Sequence, residues 1–267
     1  MSSQMSEVDS LTGGVADTLA VEIRGVHKWF GRSHILRGMD LAIPEGSLAV
    51  VLGPSGTGKS VLIQHITGIV RPDQGEVLVR GRALSRMSRS EVLKLRTDIG
   101  VMFQDGALFS SMDVFENVAF PLRQHTDLND SEVHDVVSEH LAAVGLSDAG
   151  RRFPSQLSGG MKKRAGLARA LVLDPGIVIC DEPDSGLDPV RTALLADLLR
   201  ERHAELGGTM IVVTHNMPLA RRVADYAAVL WQGGVVESGP AEVIFNSSNE
   251  FVAQFVSSSK VGPLGMD

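Results

Sequence analysis

An eight-residue glycine-rich segment constrains this chain more than any other feature of its sequence. Residues 53–60 have the sequence GPSGTGKS and fit the pattern G-x-x-x-x-G-K-[ST]. An unbroken apolar run, residues 48–52, comes directly before it, and a stretch with helical spacing begins at Lys59. In a strand, glycine-rich loop and helix arranged in this order, backbone N–H groups surround a phosphate. The sequence therefore predicts a phosphate-binding loop in an α/β domain with a buried parallel strand.

The residue types of this loop suit the binding of a nucleotide. Its glycines let the backbone curl so that successive N–H groups point at phosphate oxygens. The Lys59 ammonium is expected to reach the β- and γ-phosphates, and the Ser60 hydroxyl is expected to bind Mg²⁺. The predicted nucleotide contacts of the loop are Gly53, Pro54, Ser55, Gly56, Thr57, Gly58, Lys59 and Ser60.

Composition excludes several broad classes of protein. A length of 267 residues, with 43% hydrophobic and 21% charged residues, favours one globular core domain with a smaller subdomain. The net charge of −7 argues against nucleic-acid binding by bulk charge, and a single cysteine excludes an internal disulfide. No apolar stretch approaches the roughly 20 residues of a membrane span, and the N-terminus lacks signal-peptide features. We therefore expect a protein that stays in the cytoplasm or on the cytoplasmic face of another structure.

Hydrophobic patterning divides the first part of the chain into three segments. Residues 1–18 are polar and aperiodic, so we expect them to be disordered. Alternation from Leu19 onwards, with a turn-prone segment at residues 30–33, predicts an antiparallel sheet. The chain changes character from about residue 106 to near residue 157, and residues 114–146 within this segment have helical spacing, which predicts a mostly helical subdomain inserted between strands of the core.

After the insertion, the patterning returns to alternating helices and strands. The predicted elements are a helix over 161–173, a strand over 176–180, a helix over 190–206, a strand over 209–214 and a hairpin of 229–231 with 235–237. We expect one domain over 19–245, followed by a short tail over 246–267.

Two adjacent carboxylates follow an apolar run that ends at Cys180, a residue we expect to be buried. Asp181 is suited to holding Mg²⁺ through its water shell, and Glu182 to polarising the water that attacks the γ-phosphate. Sites in α/β proteins lie at the carboxyl ends of strands, where these acids fall. A solvated strand end is the alternative interpretation, and the phosphate loop favours the functional one.

A second glycine turn, LSGGM at residues 157–161, comes directly before a predicted helix. Ser158, Gly159 and Gly160 form a helix cap that is also suited to binding an anion. One ATP does not need two such loops from one chain, so we expect this turn to cap a nucleotide held by a second copy. Two simpler interpretations remain open: an ordinary N-cap, and a solvated helix face for Lys162, Lys163, Arg164 and Arg169.

Together these motifs resemble those of ABC-transporter ATPase subunits. The phosphate loop, Gln104, LSGGM, the two carboxylates, SGLD at residues 185–188 and Thr214-His215 follow the order and spacing of that family over residues 19–245. The resemblance implies a P-loop NTPase of the ABC ATPase type, with a RecA-like core, an N-terminal antiparallel β subdomain and an inserted helical subdomain. It also implies a head-to-tail homodimer that encloses two molecules of ATP with Mg²⁺.

The resemblance also implies roles for single residues outside the phosphate loop. Phe30 lies where the family stacks an aromatic ring on adenine, although core packing is an alternative and Tyr is the commoner residue. Gln104 lies in the loop that senses the γ-phosphate and Mg²⁺ and touches the membrane partner. Asp188 lies in the loop that crosses the dimer interface, and His215 contacts the γ-phosphate and helps to order the attacking water. The implied catalytic residues are Glu182, His215 and Gln104, and the implied metal ligands are Ser60, Gln104 and Asp181.

Three segments resemble one group within this family, the ATPases of Mla- and Mce-type lipid transport systems. They are residues 102–112 (MFQDGALFSSM), 114–126 (VFENVAFPLRQHT) and 157–164 (LSGGMKKR). The resemblance implies a permease in the inner or plasma membrane and lipid-carrying proteins of the Mce/MlaD kind. It also implies a hydrophobic substrate and a peripheral position for this chain on the cytoplasmic face.

Other functions remain to be weighed against this one. An ABC ATPase that serves an amino-acid importer or a lipoprotein-release system has related motifs. A soluble ABC protein acting on DNA or ribosomes is disfavoured by the single ATPase half, the absence of sustained heptads and the acidic charge. A P-loop kinase or switch GTPase is disfavoured by LSGGM, by His215 and by the absence of the N/T-K-x-D motif.

Overall fold

The structure is a computed structural model that describes residues 18–263. Apart from Thr18, the segment for which we predicted disorder lies outside the described residues, and so do residues 264–267 of the predicted tail. Within the described range, no helix has both the length and the apolar character that crossing a bilayer requires.

Within residues 18–263 the chain forms ten strands and nine α-helices. The strands are β1 (Leu19–Phe30), β2 (Ser33–Pro44), β3 (Leu48–Leu52), β4 (Gln74–Val79), β5 (Arg82–Ala83), β6 (Ile99–Met102), β7 (Ile177–Asp181), β8 (Thr209–Thr214), β9 (Tyr226–Trp231) and β10 (Gly234–Pro240). The helices are α1 (Lys59–Ile66), α2 (Arg89–Thr97), α3 (Val114–His125), α4 (Asp130–Ala143), α5 (Gly159–Leu171), α6 (Pro189–Leu206), α7 (Met217–Val223), α8 (Ala241–Phe245) and α9 (Glu250–Ser257).

The smaller sheet contains the N-terminal strands in the order β2-β1-β4-β5, and every pairing in it is antiparallel. A two-residue turn joins Phe30 to Ser33, where the sequence predicted a turn. The side chains of Val21, Ile23 and Val26 are buried against the rest of the core. The predicted antiparallel sheet is confirmed.

The larger sheet has the order β10-β9-β3-β8-β7-β6. Its strands β9, β3, β8, β7 and β6 are parallel to their neighbours, and β10 closes an antiparallel hairpin with β9. All five residues of β3 are buried, because helices or the smaller sheet cover both faces of the parallel strands. This arrangement places the carboxyl ends of β3, β8, β7 and β6 along one edge of the sheet.

Helices α3 and α4 lie between β6 and α5 in the chain and pack against each other and against α5. Side chains cap both of their N-termini: Asp113 accepts from the N–H of Glu116, and Asn129 accepts from the N–H of Glu132. Helical structure therefore fills the segment in which the sequence predicted an inserted subdomain. The boundaries of about 106–157 and 19–245 remain predictions.

The buried amide of Asn117 on α3 holds the loop that leads into this helix. Its Oδ1 accepts the N–H of Phe109 at 2.7 Å, and its Nδ2 donates to the carbonyls of Phe109, Met112 and Asp113 at 2.8–3.1 Å. Replacing Asn117 by Leu should lower the free energy of unfolding by about 2–3 kcal/mol, because buried backbone groups lose their partners. Urea denaturation tests this, with the exposed Gln124→Ala on the same helix as control; equal stability of Asn117→Leu and the wild type would contradict it.

The described part of the predicted tail, residues 246–263, contains a helix that the sequence analysis did not predict. This helix is α9, whose Val252 and Val256 are buried, and the Phe251 ring lies 5.0 Å from the ring of Trp231 on β9. The physical reason is an apolar spacing of four residues, which gives this short helix one face to bury. Asn249 caps its N-terminus.

Candidate functional site

The predicted phosphate loop and the predicted catalytic and metal-binding residues follow neighbouring strands at one edge of the larger sheet. The phosphate loop follows β3, His215 follows β8, Asp181 ends β7, and Gln104 comes two residues after β6. Four strands between residues 48 and 214 thus end at this edge, and their parallel pairing aligns the four ends. This edge is where binding sites form in open α/β sheets.

All three glycines of the phosphate loop have positive φ angles, which other residues rarely adopt, and at Gly53 and Gly58 a Cβ would also clash with its neighbours. Gly53 has a φ of +157°, and a Cβ at this position would lie 2.6 Å from the carbonyl oxygen of Leu230. Gly58 has a φ of +102° and directly precedes α1. The loop therefore needs glycine at these two positions, which are the two fixed glycines of the motif.

Lys59, at the start of α1, is buried and folds back over the loop. Its Nζ donates to the carbonyl oxygens of Gly53 at 2.7 Å and Pro54 at 2.8 Å. Burial lowers the pKa of the Lys59 ammonium, while the carboxylates of Glu182 and Asp181 act in the opposite direction. The ammonium therefore lies between the loop and the carboxylates, where it can reach the outer phosphates of a nucleotide.

The two carboxylates differ in environment although they are adjacent. Asp181 ends β7, and burial raises the pKa of its carboxyl; the neighbouring Glu182 raises it further and Lys59 lowers it. Glu182 begins the following loop with a φ of +43°, a strained conformation for a residue other than glycine. Its Oε1 lies 3.3 Å from Nδ1 of His215, so the predicted base and the predicted histidine are in direct contact.

A buried polar pair that the sequence analysis did not single out joins the loops after β7 and β8. The hydroxyl of Thr214 donates to Oδ1 of Asp184 at 2.8 Å, and both residues are at least 95% buried. Oγ1 of Thr214 also accepts from the N–H of Asn216. This pair fixes the position of His215 relative to Glu182, which is how the two loops come to share one site.

The LSGGM turn and the SGLD loop do not join the phosphate loop in this chain. Ser158 caps α5 by accepting from the N–H of Met161 at 3.3 Å, and Gly160 packs against Leu187. Asp188 caps α6 by accepting from the N–H of Arg191 at 3.0 Å. Among residues 18–263, no hydrogen bond connects the 158–160 turn to the phosphate loop. The nucleotide contacts of Ser158, Gly159, Gly160 and Asp188 remain predictions, made for a nucleotide that a second copy holds.

Two of the four basic residues of α5, Lys163 and Arg169, do not belong to the solvated face that the sequence left open. Lys163 is buried and donates to Ser185 Oγ and to the backbone of Glu182. Arg169 donates to the carbonyls of Gly106 and Ala107, next to the Gln104 loop. Polar partners in neighbouring loops hold both side chains, and Lys163 lies on the face of α5 that is buried in the domain.

The ring of Phe30 is 47% exposed at the end of β1, so core packing is excluded as its role. The Nζ of Lys28 lies 5.5 Å from the centre of that ring. The ring of the neighbouring Trp29, by contrast, stacks on His34 at 4.0 Å between centres. Phe30 therefore presents a free aromatic face to a ligand, as stacking on a base requires.

The oxygen donors near the phosphate loop suit Mg²⁺. Ser60 presents an exposed hydroxyl, Asp181 a partly buried carboxyl, and Gln104 an exposed amide from the neighbouring strand end. Among residues 18–263, no group of three His, Cys, Asp or Glu residues forms a dedicated metal cage. Proteins commonly bind Mg²⁺ through one or two side chains together with substrate phosphates.

Comparison with known proteins identifies the family. A family model described as "ABC transporter" matches residues 36–185, more than half of the chain. The chain belongs to the ABC transporter family. The matched range contains the phosphate loop, Gln104, the LSGGM turn and both carboxylates. As a member, the chain is the ATP-binding subunit of an ABC transporter and an ATPase.

The chain is similar to transport ATP-binding proteins with two different names. The chain is 48% identical over 255 residues to the probable ribonucleotide transport ATP-binding protein mkl of Mycobacterium tuberculosis H37Rv, covering 96% of this chain and 71% of that protein. It is 40% identical over 244 residues to the intermembrane phospholipid transport system ATP-binding protein MlaF of Escherichia coli K12, covering 91% of both.

Solved structures of ABC cassettes share this fold. The cassette cbiO1 from Clostridium perfringens superposes with a TM-score of 0.78 at 30% identity, covering 89% of this chain and 94% of that one. A dimeric post-hydrolysis state of the cassette MJ0796, bound to ADP and Pi, gives 0.76 at 30% identity, covering 83% and 98%. The predicted α/β fold of the ABC ATPase type is confirmed. Such cassettes dimerise and work with membrane permease components.

Proposed function

We propose that this ABC ATPase powers the movement of a lipid by a membrane complex of the Mla/Mce type. The observation that carries the proposal is the likeness to a phospholipid-transport ATPase along 91% of both chains. The three segments that resemble this group include the Gln104 loop and α3, where an ABC ATPase meets its permease. The chain would then lie peripherally on the cytoplasmic face of the inner membrane, with Mce/MlaD-like proteins beyond the permease.

A copy of this chain would hold the triphosphate of ATP in the loop of residues 53–60. The N–H groups of the loop and α1 face the phosphates, and Lys59 turns from its own carbonyls to the β- and γ-phosphates. Ser60, Asp181 and Gln104 are the residues suited to holding Mg²⁺, which when bound neutralises charge that develops on the γ-phosphate. Phe30 stacks on the adenine.

Hydrolysis would be carried out by Glu182 and His215. Glu182 lies one residue beyond Asp181 and accepts a proton from the water that attacks the γ-phosphorus. His215, at 3.3 Å from Glu182, holds the carboxylate in place and contacts the γ-phosphate. Catalysis otherwise consists of positioning and charge neutralisation, because phosphoryl transfer requires little covalent chemistry from the protein.

Two copies would share each ATP in a head-to-tail dimer. The 158–160 turn caps a helix with unpaired N–H groups and carries no contact to its own phosphate loop, so it is available to the nucleotide of the other copy. ATP then draws the subunits together, and loss of the γ-phosphate releases them. Asp188 lies at the interface between the two halves.

A groove beside the Gln104 loop is suited to receive the permease. It has a volume of about 320 Å³ and lies between the end of β6 and α3. The exposed rings of Phe103 and Phe109 and the side chain of Phe120 line it, and so does Arg169, whose guanidinium lies 5.8 Å from the centre of the Phe109 ring. Any movement of the loop that contains Gln104 would then displace a permease helix bound in this groove.

Stacking on adenine gives Phe30 a measurable role. Phe30→Ala should weaken ATP binding about tenfold, because base–aromatic stacking contributes roughly 1–3 kcal/mol, while Phe30→Tyr should bind as the wild type. The affinity for inorganic tripolyphosphate, which has no base, should not change. Competition against a fluorescent nucleotide measures all three affinities. An equal loss for ATP and for tripolyphosphate would contradict stacking.

Purification of the assembled transporter tests the lipid assignment. A complex isolated through a tag on this chain should contain a permease and an Mce-type protein, and its solvent extract should contain bound lipid by mass spectrometry. A parallel purification without the tag gives the background. Relatives at 48% identity carry a name that specifies ribonucleotide transport. A complex that retains ribonucleotides or a polar solute, and that lacks an Mce-type protein, would contradict the proposal.

A further inference from the structure

Lys163 occupies an unusual position for a lysine on α5. It comes five residues after Ser158, the side chain that caps this helix, and it is 95% buried. Its Nζ donates to Oγ of Ser185 at 2.8 Å and to the backbone carbonyl of Glu182 at 3.2 Å. One buried ammonium thus joins α5, the helix that begins in the LSGGM turn, to the loop that follows β7.

The charges around Lys163 come from each of the loops that meet there. Burial lowers the pKa of the ammonium, while the carboxylates of Asp184, Asp105 and Glu182 raise it. Asp184 and Glu182 belong to the loop after β7, and Asp105 is adjacent to Gln104. The ammonium therefore lies where these loops converge on α5, rather than in an isolated ion pair.

The backbone at Glu182 needs such support. A φ of +43° is sparsely populated for a residue with a side chain and persists only where neighbouring groups hold it. The N–H of Glu182 donates to Val213 at 2.8 Å, and its carbonyl accepts from the N–H of Ser185 and from Lys163. In the described part of the chain, Lys163 is the one side chain that bonds to this backbone.

We propose that Lys163 is a positioning residue for ATP hydrolysis. It couples α5 to Glu182, the proposed catalytic base. When the nucleotide of a second copy engages Ser158, any shift of α5 passes through Lys163 to the backbone of Glu182 and to Ser185. Each subunit thereby aligns its own base only when it also caps the partner's nucleotide. The inference rests on the proposed assignment of Glu182 as the base.

Steady-state hydrolysis by the assembled transporter and ATP affinity of the full chain test this role together. Lys163→Met should lower kcat about tenfold or more and leave ATP affinity unchanged, because a bond from a charged donor is lost outside the nucleotide contacts. The Hill coefficient for ATP should fall towards one, since the two sites no longer communicate. Lys163→Arg, which keeps a charged donor, should restore part of kcat.

The matched control is Lys162→Met, one residue earlier on the same helix. Within residues 18–263 the Lys162 side chain has no hydrogen-bond or ion-pair partner, so this variant should match the wild type. Ser185→Ala supplies a second test that does not alter the lysine. The double variant Ser185→Ala with Lys163→Met should lose less kcat than the product of the two single fold losses. Thermal unfolding identifies any variant that fails to fold, and Ser185→Ala then carries the test alone.

Two results would overturn the proposal. One is normal kcat and cooperativity in Lys163→Met. The other is a loss of ATP affinity that accounts for the whole loss of activity, which would give Lys163 a purely structural role. Failure of the underlying base assignment is distinguishable, because it would appear as normal hydrolysis by Glu182→Gln, whatever Lys163→Met does.

Discussion

Replacing Glu182 by Gln is expected to lower ATP hydrolysis by about 10³-fold or more without weakening ATP binding. The amide has the shape of the carboxylate and retains a contact to His215, yet it cannot accept the proton of the attacking water. The binding residues of the loop at 53–60 are unchanged. Phosphate release by the assembled transporter measures the first effect, and equilibrium nucleotide binding measures the second.

A matched control for this variant is Glu205→Gln. Glu205 is an exposed acid on α6 whose ion pair with Arg202 lies outside the site, so its loss should leave hydrolysis unchanged. Hydrolysis by Glu182→Gln at the rate of Glu205→Gln would show that another group activates the water.

Replacing Lys59 by Met is expected to weaken ATP binding about 100-fold. The ammonium is buried beside the loop and near two carboxylates. A bound phosphate would replace its neutral carbonyl partners with negatively charged oxygens. Methionine keeps the length of the side chain and removes the charge. Titration with a fluorescent ATP analogue measures the affinity of the full chain.

The exposed Lys94 on α2 provides the comparison for charge alone. Lys94→Met lowers the net charge by the same amount, away from the loop, and should bind ATP as the wild type does. If Lys59→Met and Lys94→Met bind ATP equally well, the phosphate loop does not use its lysine as proposed.

Sequence predicted the positions of the phosphate loop and the two carboxylates because each combines a local motif with an apolar run. The strand at residues 48–52 was predicted to the residue, and Thr209–Thr214 likewise. The position of Gln104 next to these groups could not be derived locally. It depends on the pairing of β6 with β7, whose first residues are 78 positions apart, as 177 minus 99 shows.

The burial of Lys163 had a signal that the sequence analysis did not use. Leu167 and Ala170 follow it by four and seven residues, so helical spacing places all three on one face, and that face is buried. The ammonium of a lysine on an apolar helix face can either extend to solvent or bond to a buried partner. Only the three-dimensional position of Ser185 and Glu182 distinguishes them.

The helix α9 within the predicted tail was not foreseen, for a similar reason. Val252 and Val256 have helical spacing, but an eight-residue helix is too short to be stable alone. Its order depends on burial against β9 and α8, including the contact of Phe251 with Trp231. Long-range packing of this kind leaves little trace in a short window of sequence.

In the proposed dimer, two copies enclose each ATP between the loop of one and the LSGGM turn of the other. Cysteine cross-linking tests this arrangement most directly, because the native Cys180 is fully buried, which raises the pKa of its thiol to about 12 and keeps it unreactive. Copies carrying Ser55→Cys and copies carrying Ser158→Cys, both with Glu182→Gln, receive different tags and are mixed under oxidising conditions.

We predict a cross-linked species that carries both tags, that forms only when ATP is present and that is absent when either variant is incubated alone. Ser55 is exposed in the phosphate loop and Ser158 begins the LSGGM turn, so one shared triphosphate brings them together. ATP bound by both proteins without any species carrying both tags would contradict the shared site.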